Sequence, residues 1–384
     1  MTEKKDASND TFEGNEKPQT QSKSQKGTAS SGATAVAGKK AQEQGVLYLG
    51  IDLGTSRTSV TASNGVRETV ASFVGYPKDT VSRKLLKADV LFGDDAIKNR
   101  LALDFYRPLE HGVLKCSEDN SKDYENNLRA SQDLIAEIIR RSRPRKDELI
   151  YAVIGVPAEA SINNKEAILD AARASVDSVM LCSEPFSVAY GLDMLDDVLV
   201  IDIGAGTTDL CRMHGTMPED ADQITMTFAG DYVDNTFAAN MRKAYPNAQF
   251  STLMLKSIKE RYSSVAEQYE RVIVKLPVNG KPTDFDVTDQ LRDACMGLVQ
   301  PFVDSLAKLI GSFDPEFQDR LKNRVLLAGG GSQIRGLDGA IERAMHEHLG
   351  GGKVMRVEEP VYGGANGALK IAHDMPAEFW EQLK

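Results

Sequence analysis

The sequence is poor in the residue types that mark several common protein classes. It holds one tryptophan and only four cysteines among 384 residues. The cysteines are scattered without metal-ligand spacing, so they predict neither a disulfide framework nor a zinc site. Two of them lie in or beside predicted strands, and we expect buried thiols in a reducing compartment. The four are Cys116, Cys182, Cys211 and Cys295.

Long apolar runs and an excess of positive charge are missing too. No stretch is long and apolar enough to cross a membrane, and the N-terminus lacks the apolar core of a signal peptide. The formal net charge is −10, which argues against a general nucleic-acid-binding surface. We therefore expect a soluble cytoplasmic protein with no nucleic-acid partner and no direct membrane insertion.

The N-terminal residues 1–45 also lack apolar side chains, in contrast to the rest of the chain. Only Met1, Phe12 and Val36 are larger apolar residues in this segment. Such a segment cannot bury enough surface to offset its ordering entropy, which predicts a disordered polar tail. The remaining length and its apolar content suit two folded domains.

The stretch Leu199–Asp209 has the strongest local pattern. A short apolar run ends at Asp202 and is followed by two glycines and two hydroxyl residues, Gly204, Ala205, Gly206, Thr207 and Thr208. This pattern predicts a buried strand that delivers a carboxylate to a tight turn. The glycines let backbone N–H groups approach an anion, and an acid there can hold hydrated Mg²⁺ beside phosphates.

An earlier copy of this pattern runs from Leu49 to Val60. It holds an acid, a glycine and then small polar or basic residues, namely Asp52, Gly54, Thr55, Ser56 and Arg57. The two acids lie 150 residues apart, about the length of one domain. The repeat predicts two similar α/β halves, each presenting a phosphate-facing hairpin to one shared cleft. Two unrelated hairpins are the less favoured alternative.

Four further features are candidates for the same cleft. A strand before Gly329, Gly330, Gly331 and Ser332 predicts a close backbone contact with a ring or ribose. Gly230 and Asp231 fit either another phosphate turn or an ordinary helix cap. Lys259 fits either a nucleotide contact or a solvated helix face. Glu184 begins a helix, and by itself it is explained as well by the helix dipole.

The coarse pattern of elements supports an α/β protein. It predicts hairpins at Asn64-Gly65 and Asn279-Gly280 and a strand at Leu149–Val156. Helices are expected at residues 124–141, at 163–175 with Ser161 as cap, at 186–195, and as one long helix at 291–313. The small residues of Tyr362–Leu369 predict close helix packing, and the segment with Trp380 is expected to dock onto the body.

These motifs, in this order, resemble those of the ATPase superfamily that contains actins, heat-shock chaperones and sugar kinases. The likeness covers residues 46–384, and among its members the chain is most similar to bacterial actins, including the filament proteins of magnetosomes. Six stretches carry this narrower likeness, and several of them lie outside the shared nucleotide motifs: 75–79, 153–158, 183–186, 202–209, 328–337 and 376–383. Lys256 departs from the pattern, because cell-shape actins tend to carry an acid there for the ribose.

The resemblance implies a fold of two RNase H-like halves around a nucleotide cleft, and it implies roles for the candidate residues. The two turns would clamp the β- and γ-phosphates of ATP, and the triple-glycine turn would hold the adenosine. Asp52 and Asp202 would position Mg²⁺ through water, and Glu184 would orient the attacking water. Gly230 and Asp231 would form an additional γ-phosphate turn, with Lys259 near the ribose.

The resemblance further implies an ATP-hydrolysing, self-assembling cytoplasmic filament that aligns magnetosomes through an adaptor protein. A non-filamentous ATP-binding regulator and a small-molecule kinase remain as alternatives. The expected organisation consists of a polar tail, two domains each with one insertion, and a segment that returns to the first domain. The expected bounds are 1–45 for the tail, 46–199 with an insertion at 67–112, 200–352 with an insertion at 230–285, and 353–384.

Overall fold

The computed structural model describes residues 45–115 and 121–383. The strands are β1 Val46–Leu53, β2 Arg57–Ala62, β3 Arg67–Ala71, β4 Val74–Pro77, β5 Leu91–Phe92, β6 Leu103–Tyr106, β7 Leu109–Glu110, β8 Val113–Leu114, β9 Leu149–Val156, β10 Ser178–Ser183, β11 Val198–Ile203, β12 Thr208–Met213, β13 Gln223–Met226, β14 Ile273–Val278, β15 Lys281–Asp286, β16 Val325–Ala328 and β17 Val354–Arg356. The predicted tail lies outside the described residues except for Gly45.

The α-helices of the described residues lie between and after these strands. They are α1 Thr80–Leu86, α2 Gly93–Lys98, α3 Ser121–Arg141, α4 Ile162–Arg173, α5 Glu184–Gly191, α6 Gly230–Ala244, α7 Thr252–Tyr262, α8 Thr288–Met296, α9 Val299–Gly311, α10 Pro315–Lys322, α11 Leu337–Leu349, α12 Gly363–Asp374 and α13 Ala377–Gln382. Ser161 caps α4 as expected, because its hydroxyl accepts a hydrogen bond from the Asn164 amide.

Two five-stranded sheets of the same design form the body. The strand orders are β10-β9-β1-β2-β3 and β13-β12-β11-β16-β17. In each sheet the strand that carries the motif acid pairs antiparallel with the next strand and parallel with a later one. Asp52 lies opposite Ser59, and Asp202 lies opposite Asp209. The duplicated α/β fold predicted from the repeat is confirmed.

The helix α12 packs unusually close to the first sheet and to α5. A Cβ atom at Gly50 would lie 2.1 Å from the Ala365 carbonyl oxygen, and one at Gly367 would lie 1.7 Å from the Ser187 carbonyl oxygen. Only glycine permits these approaches, which confirms the close packing expected of this small-residue segment. The side chain of Trp380, in α13, is fully buried and stacks on Tyr151 at 5.0 Å.

Each half also contains small sheets or hairpins outside its five-stranded sheet. The sheet β5-β4-β6 with α1 and α2 precedes the hairpin β7-β8, and the hairpin β14-β15 follows α7. Asn279 and Gly280 both adopt positive φ at the tip of β14-β15, as a two-residue hairpin turn requires. The predicted hairpins at both Asn-Gly pairs are present, since β2 and β3 flank Asn64-Gly65.

The single long helix expected at 291–313 is wrong, because the structure has two helices, α8 and α9, separated by Gly297 and Leu298. Pro301 lacks the N–H that would bond the Gly297 carbonyl in a continuous helix, so the helix breaks one turn before it. The helix expected at 186–195 also ends early, at Gly191, because Asp193 adopts positive φ.

The remaining composition-based expectations concern thiols and membrane spans. Cys211 and Cys295 are buried free thiols, Cys182 is a partly buried one, and Cys116 lies outside the described residues. Burial raises the pKa of all three described thiols to about 12, which keeps them protonated and unreactive. Within residues 45–115 and 121–383, no helix is both long and apolar enough to span a bilayer.

Candidate functional site

A cavity of about 420 Å³ lies where the two halves face each other. Its walls include both Asp-Gly turns, the triple-glycine turn, and the first residues of α5 and α6. The two sheets direct the carboxyl ends of β1 and β11 to this point, where ligands commonly bind in open α/β sheets. The cavity volume falls within the range of small-molecule sites.

A third element, the tip of the β7-β8 hairpin, lies between the two turns. The Gly112 amide donates to the Thr55 hydroxyl at 2.7 Å, and His111 Nδ1 donates to the Gly206 carbonyl at 3.1 Å. His111 and Gly112 both adopt positive φ. A Cβ atom at Gly206 would lie 2.7 Å from Thr55 Oγ1, so the glycine is required for this close approach.

Three carboxyl groups line the cavity, namely those of Asp52, Glu184 and Asp202. A fourth, that of Asp209, lies behind them, and its charge raises the pKa of Glu184 and Asp202. Burial raises the pKa of Asp52 to about 6. Burial, and then the charge of Asp52, raise the pKa of both Glu184 and Asp202 well above the usual range. Unlike the other three, Asp209 accepts hydrogen bonds from the Ala158 amide and the Thr225 hydroxyl, yet burial still raises its pKa.

This acid cluster fits a divalent cation that is held mainly through water. The described residues contain no group of three or more ligating side chains close enough to hold a metal by themselves. Carboxylates that repel one another in a buried site nevertheless favour a nearby cation, and Mg²⁺ usually keeps several waters beside phosphates. Asp52 and Asp202 are the residues that would hold it.

Glu184 occupies the first turn of α5, and Pro185 fixes the start of that helix. Its side chain packs against Gly155 of β9, where a Cβ atom would lie 3.4 Å from Glu184 Cγ. The carboxyl group is nearly buried but reaches the cavity wall. A carboxyl group so placed is able to accept a hydrogen bond from a water molecule in the cleft.

Two of the three glycines that follow β16 are required by close packing. Gly329 adopts a φ of 75°, and a Cβ atom there would lie 2.2 Å from Asp202 Oδ1. A Cβ atom at Gly331 would lie 2.2 Å from Ile203 Cγ2, whereas one at Gly330 would meet nothing. Packing against β11 therefore explains two of the three, whereas no contact within the described residues requires glycine at position 330.

The start of α6 is joined to the second turn by its own backbone. The amides of Gly230 and Asp231 donate to the carbonyls of Gly204 and Ala205 at 3.1 and 2.7 Å. Lys259 donates to the Gly230 carbonyl at 2.8 Å and pairs with Asp234 at 2.9 Å. These two amides are thus already bonded, and a phosphate there would depend on other donors.

The structure brings nearly all the predicted site residues to one cavity. Thr208 and Ser332 are the exceptions, because they do not line the cavity and their hydroxyls donate to the backbone carbonyls of Phe228 and Gly329. The lining residues among the predicted set are Asp52, Gly54, Thr55, Ser56, Arg57, Glu184, Asp202, Gly204, Ala205, Gly206, Thr207, Gly230, Asp231, Lys259, Gly329, Gly330 and Gly331.

Sequence reasoning missed several residues at the cleft. Asp209 lies within the quoted motif but was not assigned to the site, and the His111-Gly112 tip was treated as part of an insertion. The available sequence signal was a glycine between two short segments with apolar residues, which is typical of a tight hairpin turn. Lys256 lines the cavity and donates to the Ser56 hydroxyl across the cleft. Arg107 had no sequence signal.

Duplicated sheets with an acid-floored cleft between paired phosphate-type turns define an actin-like protein. The family model described as MreB/Mbl protein matches residues 47–378, and the chain belongs to that family. It is 39% identical over 342 residues to "Actin-like protein MamK" of Paramagnetospirillum magneticum strain AMB-1, covering 89% of this chain and 96% of the relative.

Solved structures show the same likeness. A structure titled "MamK double helical filament" matches with a TM-score of 0.81 and 38% identity, covering 86% of this chain and 99% of the other. A second structure, of a non-polymerising MamK mutant bound to AMPPNP, matches with a TM-score of 0.65 and 38% identity, covering 86% and 100%. The actin-like fold and family expected from the motifs are confirmed.

Proposed function

We propose that the chain is an ATP-dependent polymerising bacterial actin that hydrolyses ATP to ADP and phosphate. The observation that carries the proposal is the pair of Asp-Gly turns facing one cavity from two duplicated halves. Two related structures support it, one a filament and one bound to an ATP analogue.

Each segment that lines the cavity has a proposed role in binding or hydrolysing ATP. The turns at Gly54–Arg57 and Gly204–Thr207 hold the phosphates, and the triple-glycine turn holds the adenosine. Mg²⁺, placed by Asp52 and Asp202 through water, would neutralise phosphate charge. Glu184 orients the attacking water, and its raised pKa is lowered once a cation offsets its acidic neighbours.

Linkage connects this chemistry to assembly. A nucleotide that touches both halves favours the closed arrangement, and the closed shape presents ends that fit the next subunit. Head-to-tail contacts of this kind generate an open filament. Loss of the γ-phosphate contacts after hydrolysis lowers the preference for the closed state, which favours disassembly.

The proposed biological role is a cytoplasmic filament that aligns and positions magnetosomes through an adaptor protein. Similarity to MamK over nearly the whole folded length supports this role. Its test is replacement of the native filament protein in a magnetotactic cell. Restored alignment of the magnetosome chain in tomograms is expected, and dispersed magnetosomes despite visible filaments would contradict the role.

High-speed sedimentation with ATP, with ADP and without nucleotide tests the biochemical function. Pelleting that depends on ATP, with ordered filaments in negative-stain images, is expected. A chain that hydrolyses ATP but stays in the supernatant at every concentration and salt would favour a non-filamentous regulator. ADP formation that requires an added small-molecule acceptor, with the γ-phosphoryl group recovered on that acceptor and not as free phosphate, would favour a kinase. A GTP series measures base preference.

A further inference from the structure

Arg107 joins the two halves beside the cavity without lining it. Its Nε donates to the Thr55 carbonyl of the first turn at 3.0 Å. Its Nη2 donates to Asp231 Oδ2, at the start of α6 in the second half, at 2.7 Å. The Arg107 guanidinium therefore contacts both the first turn and the start of α6. Its planar, forked arrangement of N–H donors suits such a double contact.

Asp231 lines the cavity, so its charge affects any anion that binds there. An acid at the mouth of an anion site would repel a phosphate if its charge were unpaired. Here the carboxylate faces Arg107, while the Asp231 amide holds the second turn through the Ala205 carbonyl. Arg107 thus neutralises the acid and links the first turn, α6 and the second turn in one chain of hydrogen bonds.

We propose that Arg107 is a positioning residue that latches the cleft closed by tying the first turn to Asp231. The inference rests on the proposed function, because it names what regulates the lifetime of the bound nucleotide. The ion pair exists only when the halves are together, so it raises the closed fraction and slows ligand release. The side chains of Arg107 and Asp231 are only 32% and 29% exposed, which limits the screening of this ion pair by solvent.

The first readout is dissociation of a fluorescent ATP analogue from the full chain. Arg107→Met and Asp231→Asn are each expected to speed dissociation by roughly fivefold to tenfold, in the lower range of coupling between sites. The double variant should be no faster than the faster single one, because both remove the same contact. Arg107→Lys should restore part of the effect, since it keeps the charge and loses the fork.

The matched control is Arg320→Met. Arg320 pairs with Asp197 at 3.0 Å, and Asp197 precedes β11 at the end of that strand opposite to the cavity. Its loss removes an Arg–Asp pair of similar length, so dissociation is expected to stay at the wild-type rate. A control variant as fast as Arg107→Met would mean that general loosening explains the result, which would overturn the latch.

The second readout is hydrogen exchange without nucleotide, and it does not depend on the proposed function. The amides of Ala158 and Glu159, after β9, donate to Asp209 and Thr225 of the second half. Their exchange reports opening of the cleft, and Arg107→Met should speed it several-fold while Arg320→Met should not. Unchanged exchange would overturn the latch. Faster exchange in a chain that binds no nucleotide would leave the latch standing and refute the proposed ATPase.

Discussion

At the scale of single residues, the carboxyl cluster determines both chemistry and stability. Burial raises the pKa of Asp52, Glu184 and Asp202, and the charge of Asp52 raises the pKa of the other two further, so the charged site is electrostatically unfavourable until a cation enters. A buried cluster of this kind is typical of functional sites, where stability is lower than packing alone would allow. The cluster therefore has consequences for turnover and for the pH dependence of stability.

Glu184→Ala is expected to bind ATP but to release phosphate at least tenfold more slowly, and to form persistent filaments. The physical reason is that the phosphate-binding turns stay intact while the group that orients water is lost, and such groups contribute about 10²–10⁴-fold. A phosphate-release assay measures the turnover, and sedimentation measures the persistence of the filaments. Normal turnover would remove Glu184 from the catalytic role.

Asp202→Ala serves as the contrasting variant. Its loss removes a residue proposed to place Mg²⁺, so both hydrolysis and assembly are expected to fail. Wild-type ATPase activity in this variant would exclude the proposed role of Asp202 in placing Mg²⁺.

The pH dependence of stability provides the second residue-scale prediction. Asp52 has a folded-state pKa of about 6 against an ordinary value of 3.8, so the folded chain binds the proton more tightly than the unfolded chain. The resulting stability is present below the ordinary pKa and is lost as pH rises through about 6. Without nucleotide and Mg²⁺, Asp52→Asn should therefore gain stability relative to wild type between pH 5 and pH 7.

Denaturant unfolding of both proteins at the two pH values measures this difference. The same comparison with Mg²⁺ and ATP should shrink or reverse it, because the cation then stabilises the charged carboxylate. An equal difference at pH 5 and pH 7 would contradict the proposed electrostatic origin.

At the scale of elements, the contact between α12, α5 and β1 depends on glycine. A Cβ atom at Gly367 would overlap the Ser187 carbonyl oxygen, and neither backbone is free to move without disturbing the first sheet. Gly367→Ala is therefore expected to destabilise the fold by about 3 kcal/mol or more, from overpacking. Denaturant unfolding measures the change.

Gly311→Ala is the matched control for that experiment. Gly311 is the last residue of α9, and a Cβ atom there would meet nothing within 4 Å. The substitution is expected to be neutral or to stabilise the protein by up to about 1 kcal/mol, because alanine favours the helical state. Similar losses at both positions would mean that the close packing is not the cause.

At the scale of the whole molecule, the sheets, the cavity and the hydrophobic cores that the structure describes are built from residue 46 onward, and residues 1–44 hold few apolar side chains. Removal of residues 1–44 is therefore expected to leave the unfolding midpoint within about 2 °C of wild type, since a change of 1 kcal/mol shifts it by about 2–4 °C in larger domains. Thermal unfolding of both chains measures this, and a much larger drop would show that the segment packs on the body. The proposed domain boundaries at 46–199, 200–352 and 353–384 remain predictions.

Much of the fold followed from patterns that are local in sequence. The apolar run ending in Asp202 became β11 because its residues are buried on both faces of a sheet, and its earlier copy became β1. Hairpins formed at Asn64-Gly65 and Asn279-Gly280 because glycine, and to a lesser degree asparagine, tolerates the positive φ that tight turns require. The prediction of one long helix at 291–313 was wrong because Pro301 lacks the N–H that a continuous helix needs at that position.

The sequence by itself determined the duplicated halves, the two Asp-Gly turns and the acids at their strand ends. These depend on the order of apolar, acidic and small residues along one short segment. Only the tertiary structure decided which distant residues meet: Arg107 with Asp231, Lys256 with Ser56, and His111 with Gly206. Each of these contacts joins residues that lie more than 90 positions apart, and no local pattern encodes how two halves close on each other.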